Sequence, residues 1–244
     1  MSKKKLKKKP KTILIMIILL LIFTIASYYL EYKYLSNREI TPHEEEKDYY
    51  TSSDFGLIDI TSSRDNNYDG IDDYKQMLEG AIKKIESTTI YTSDYYAGGY
   101  PKENEGVSSD IIWSALKEAG YNLKDMMSKD IRNTYKEGIY NIEDIDDNID
   151  FRRINNIEIF LQRYAKELTT NIKNIKEFNI GDIIIFDYGD HVGIVSDKRN
   201  KNGVSYIVEL TQKEEKEINL EDINREVTGH YRFEYQEKLR EIMS

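Results

Sequence analysis

Residues 12–30 form one nearly unbroken apolar run without a charged side chain. At 1.5 Å per residue such a helix is about 28 Å long, close to the hydrocarbon thickness of a bilayer. The run predicts a transmembrane anchor over 12–30 behind a basic tail, 1–11. The competing reading is a cleaved signal peptide, whose apolar stretch is usually shorter and ends in small residues. Here the only small pair, Ala26 and Ser27, is followed by bulky Tyr28 and Tyr29. Residues 31–59 are polar and without clear period, which predicts a tether. Its run Glu44–Asp48 reads as solvated charge.

A folded domain is expected over 60–244. In its first helix Asp72 and Asp73 enrich the opening turns, and Met77, Leu78, Ala81, Ile82 and Ile85 make an apolar stripe. A Gly/Pro loop, YYAGGYPKENEG, follows. The segment SSDIIWSALKEAG predicts a second helix, with Ser108 or Ser109 as N-cap, Asp110 near the positive end and Gly120 as C-cap. Residues 129–148 are mixed, and 155–168 have helical period. Short apolar runs of strand length come next: DIIIFD, HVGIVSD, VSYIVEL and the terminal HYRFEY. Helices first and closely spaced strands afterwards predict an α+β domain on an antiparallel sheet.

Charge changes the picture in two ways. Residues 1–30 hold seven lysines and no acid, which places the N-terminus in the cytoplasm and the rest outside it. From Glu31 onward 28 basic residues face 44 acidic ones, a net of −16. So acidic a domain has no excess of Lys and Arg to displace phosphate counterions, so nucleic acid is not an expected partner. The absence of cysteine removes disulfides, thiolate metal sites, a cysteine nucleophile and a lipid-modified cysteine anchor.

Few residues are left to carry chemistry. Ser108, at a helix start, is a natural cap; the same place suits a nucleophile, because free N–H groups stabilise a developing oxyanion. With three histidines in the chain and His43 in the tether, any imidazole chemistry falls to His191 or His230. The spacing of Asp65, Asn67, Asp69, Gly70 and Asp73 matches the start of a calcium loop, but its twelfth position is Gln76 rather than a bidentate Glu. The alternative there is a solvated turn capping the following helix. Tyr100 and Trp113 are read either as groove walls or as packing.

Three segments together carry a resemblance: GGYPKENEGVSSDIIWSALKEAGYNLKDMMSKDI, NIDFRRINNIEIFLQRYAKELT, and GDIIIFDYGDHVGIVSDKRNKNGVSYIVEL with a terminal TGHYRF. Over about 60–235 the chain resembles the bacterial domain-of-unknown-function family numbered 1287, itself similar to the papain-like NlpC-type cell-wall peptidases. The resemblance implies helices packed on an antiparallel sheet and a hydrolase-type groove. The family's cysteine in a Gly-Val-Cys-Thr-Asp word falls on Ser108, its strand-opening histidine on His191, and a further His-Asn pair on Glu209 and Leu210. Asp110, Asp150, Arg152, Arg153, His230 and Arg232 sit in matching words and imply a buried ion-pair network or groove lining.

A serine hydroxyl cannot be held ionised as a thiolate can; it needs a general base as it attacks. The favoured expectation is therefore a membrane-anchored envelope protein, degenerate in catalysis, that binds a peptide or glycan. The alternatives are an active amide hydrolase using Ser108, His191 and Glu209, in which the acid orients the imidazole, and a structural surface protein. No cofactor is required by these readings; calcium is the one candidate.

Overall fold

The computed structural model describes residues 10–36, 49–212 and 217–243. Residues 1–9 of the basic tail, His43 and the Glu44–Asp48 run lie outside them. The chain divides into two compact units, Met1–Lys47 and Asp48–Ser244. The first contains helix α1, Pro10–Ser36, longer at both ends than the expected 12–30. Its stretch Ile13–Tyr34 is long and apolar enough to cross a membrane, and at 1.5 Å per residue its 22 residues measure about 33 Å.

The second unit begins before the expected boundary at residue 60. Tyr50 exchanges backbone hydrogen bonds with Arg199 (2.8 and 2.7 Å), and Ser52 is buried under the Arg199 guanidinium. Part of the expected tether is thus bound to the domain, through residues nearly 150 positions away that no local pattern announces.

In chain order the domain has α2 (Asp73–Ser87), the paired short strands β1 (Ile90–Tyr91) and β2 (Glu105–Gly106), then α3 (Asp110–Glu118), α4 (Leu123–Thr134) and α5 (Ile154–Tyr164). The strands β3 (Lys166–Glu167), β4 (Ile183–Phe186), β5 (His191–Arg199), β6 (Ser205–Val208), β7 (Glu217–Asn219) and β8 (Val227–Arg232) follow, with a closing turn of helix, α6 (Arg240–Met243). The six form one antiparallel sheet in the order β3-β8-β4-β5-β6-β7. β1 and β2 pair in parallel apart from it. The α+β expectation with an antiparallel sheet matches this architecture.

Individual limits moved. The period over 155–168 ends as helix at Tyr164, because Lys166 and Glu167 turn extended and pair with Arg232 and Tyr231. The last strand is Val227–Arg232 rather than HYRFEY. α4, in a segment without an assigned helix, is capped by Asn122, whose side chain accepts the Asp125 N–H at 3.2 Å.

β4 explains why its run is apolar without alternation. Ile183 and Ile185 join the core under the helices, while Ile184 and Phe186 join a second cluster with Val195, Val204 and Ile207 on the other face. α2 and α3 meet at Gly80, where a Cβ would fall 2.5 Å from the Ser114 carbonyl oxygen. Only glycine permits that approach, which the Ser114 hydroxyl seals by donating to the Gly80 carbonyl at 2.8 Å.

Candidate functional site

The sheet delivers two of the expected side chains together. The hairpin between β4 and β5 turns through Asp187, Tyr188 and Gly189, all with positive φ (47°, 58° and 96°). Two non-glycine residues held there cost about 1 kcal/mol or more each. The surroundings hold them: Asp187 accepts the Glu226 N–H at 2.9 Å and the Tyr188 N–H donates to Thr228 Oγ1 at 3.0 Å. His191 emerges directly from this turn at the start of β5. Glu209 follows β6, the neighbouring strand, and places Oε2 3.0 Å from His191 Nε2. The oxygen lies off the line of a ring N–H, so Nε2 is buried close beside the carboxylate but without an aligned hydrogen bond.

Glu209 has a second partner that sequence reasoning missed. Arg225, between β7 and β8, donates from Nη2 to the same Oε2 and lies 4.9 Å over the Phe186 ring. One arginine in a charged loop carries no sequence signal of this contact. Burial pushes the Glu209 carboxyl up, but His191 and Arg225 outweigh it and hold it below its ordinary value of 4.5. A depressed carboxyl contributes stability that is present above the ordinary value and lost as pH falls through the folded one. Glu209→Gln is therefore expected to lower stability by about 1–2 kcal/mol at neutral pH. The difference should shrink as pH falls below 4.5 and the carboxyl takes up its proton; thermal unfolding of both proteins across that range checks this.

Ser108 lies where expected in the chain but does not cap. α3 begins at Asp110, and neither Ser109, at the cap position, nor Ser108 makes a side-chain cap bond. The N–H groups of Asp110, Ile111 and Ile112 donate instead to the carbonyls of Val107, Ser108 and Ser109, and the Asp110 carboxylate accepts the Val107 N–H at 2.8 Å. The Ser108 residue is 4% exposed, and no hydrogen bond reaches its hydroxyl among the described residues. Ser108 lines a cavity of about 590 Å³ with Tyr140, Ile142, Arg153, Asn155 and Gly189. His191, Glu209 and Arg225 line another, of about 630 Å³, with Tyr91, Thr211 and Asp222. The structure thus joins His191 to Glu209 and leaves Ser108 unlinked to His191 by a hydrogen bond.

The remaining candidates divide. Asp110 and Arg152 are fully buried and paired through two contacts of 2.7 and 2.9 Å, a structural tie between α3 and the turn before α5. Asp150 is buried, which pushes its carboxyl up. It accepts the Asp146 N–H at 2.8 Å, and its other oxygen is 3.4 Å from Arg153, whose side chain is 52% exposed. His230 and Arg232 both turn to Asp182 in the interior, away from either cavity lining. Tyr100 and Trp113 meet edge to face, centroids 5.0 Å apart, and wall a different cavity.

The calcium candidates do not converge. Asp65 accepts the Gly70 N–H at 2.8 Å, Asp69 accepts from Asn67 and Gln76, and Asp73 turns inward to the Tyr121 hydroxyl at 2.9 Å. Asn66 and Asn67 donate to the carbonyls of Gly120 and Glu118 at the end of α3. Among the described residues no cluster of three acidic or histidine side chains is arranged to hold a metal. This loop closes one helix and opens another.

The fold and these side chains define an α+β domain of helices on an antiparallel sheet, in a chain with one membrane-length helix among the described residues and no cysteine to act as nucleophile. The chain belongs to the family described as "Domain of unknown function (DUF1287)", whose model matches residues 78–233. It is 30% identical over 168 residues to the uncharacterized protein YijF of Escherichia coli (strain K12), a match covering 64% of this chain and 80% of that protein. No solved structure matches it.

Proposed function

We propose that this protein is a membrane-anchored envelope protein whose domain binds a peptide or glycan ligand in a hydrolase-like groove without cleaving it. On this reading the fold is a papain-like, NlpC-type core. The seven N-terminal lysines keep the tail in the cytoplasm, and α1 holds the acidic domain outside. The observation that carries the reading is the state of Ser108: buried, uncapping, facing a cavity and without a hydrogen bond to a base. A serine that no base activates is a poor nucleophile, whereas its hydroxyl remains a good ligand contact.

The short His191–Glu209 contact favours a second reading, an active amide hydrolase with Ser108 as nucleophile, His191 as base and Glu209 as its orienting acid. Arg225 weighs against it by competing for the same carboxylate oxygen. The test combines a serine-reactive phosphonate probe with soluble cell-wall fragments, applied to the wild type, Ser108→Ala, Ser108→Cys and Ser108→Trp. Binding without turnover or labelling is expected in the wild type. Filling the cavity with Trp should weaken binding about tenfold or more. Hydrolysis appearing only in the cysteine variant would support a decayed enzyme. Labelling of wild-type Ser108, with turnover abolished by alanine, would sink the binding-only reading in favour of the hydrolase.

A further inference from the structure

The Ser108 cavity is the meeting point of two helix starts. α3 opens beside Ser108 and Ser109, and α5, eleven residues long, opens at Arg153 without a side-chain cap. The first N–H groups of α5, those of Ile154, Asn155 and Asn156, find no hydrogen-bond partner among the described residues. All three residues line the cavity. Open N–H groups and the aligned dipole favour an anion. A second observation points the same way: the hydroxyl of the buried Ser108 faces this cavity with no hydrogen-bond partner among the described residues. Arg153 supplies the cation. Its guanidinium is half exposed and, among the described residues, shared only with Asp150, at 3.4 Å, whereas the neighbouring Arg152 is consumed by Asp110 and the Asp94 carbonyl.

We propose that this cavity binds the free carboxylate of a short peptide, held by the open first turn of α5, the Arg153 guanidinium and the Ser108 hydroxyl. The inference rests on the ligand-binding reading above and names the ligand's chemistry. A carboxylate fits better than a phosphate. The guanidinium fork matches two carboxylate oxygens, one cation already shared with Asp150 does not balance a dianion, and the net −16 of the chain from Glu31 onward repels one. Ile142, Ile154 and Ile159 in the wall offer an apolar surface to the adjoining side chain. At about 590 Å³ the cavity takes the end of a peptide rather than a folded surface.

The test uses the full chain in detergent micelles and fluorescein-labelled trialanine, once with a free C-terminal carboxylate and once as the carboxamide, with inorganic phosphate as competitor. The acid is expected to bind about tenfold or more tightly than the amide. Arg153→Gln, at an exposed side chain, should remove that preference while leaving the thermal unfolding temperature near wild type; Arg153→Lys should keep part of it. Equal binding of acid and amide, an unchanged preference in Arg153→Gln, binding of neither peptide, or phosphate competing as well as the acid peptide would each overturn the proposal. Cell-wall fragments that still bind in any of those cases would leave the binding function standing. Loss of both would remove it too.

Discussion

Asp110→Ala is expected to destabilise the domain by about 3–5 kcal/mol, the cost of leaving a buried guanidinium without its carboxylate. Asp110 is wholly buried and the Arg152 side chain is 2% exposed. Each carboxylate oxygen has two donors: Oδ1 accepts from Arg152 Nε (2.7 Å) and Trp113 Nε1 (2.8 Å), and Oδ2 from Arg152 Nη2 (2.9 Å) and the Val107 N–H (2.8 Å). Alanine strands all four. Because the carboxylate holds the turn containing Ser108, ligand binding should weaken along with stability. A buried pair is dearer to break than to replace, so Asp110→Ala combined with Arg152→Met should recover much of the loss. Urea denaturation of the wild type and both variants measures this. A loss under about 1 kcal/mol for the single change would mean that the pair does not hold the helix start.

Asp182→Ala should cost a similar about 3–5 kcal/mol but leave the affinity of the folded protein for its ligand intact. Asp182 is fully buried and receives Arg232 through two contacts of 2.7 Å, His230 Nε2 at 3.0 Å and the Asn179 N–H at 2.8 Å. His230 is also fixed at its other nitrogen, which lies 2.7 Å from the Thr169 carbonyl oxygen, and its ring stacks on Phe178 at 4.2 Å. The histidine and arginine of GHYRF thus join the last strand to the start of β4. Thermal unfolding, with ligand titration well below the transition, separates the two effects. A variant of normal stability but lost binding would return His230 and Arg232 to the site.

Stripes and runs within a dozen residues were legible in the sequence. They specify α1, α2, α3, most of α5 and four central strands, because helix and strand periods depend on neighbours along the chain. The lysine-rich start and acidic remainder were equally plain, as was the absence of a cysteine nucleophile. The words shared with the family pointed to Ser108, His191 and Glu209, and the contact of the last two depends on adjacent strands joined by one short turn. Everything that assigns roles came from the tertiary structure. Arg152 finds Asp110 across 42 residues, His230 finds Asp182 across 48, and Tyr50 finds Arg199 from the other side of helices α2 to α5 in the chain. Arg225 reaches Glu209 from a loop, and Ser108 keeps its hydroxyl uncommitted because the N–H groups of Asp110, Ile111 and Ile112 already donate to the carbonyls of Val107, Ser108 and Ser109. A charged or hydroxyl side chain has several local and distant partners open to it. Which one it takes is set by what burial leaves within about 3 Å, a distance that only the packed chain defines.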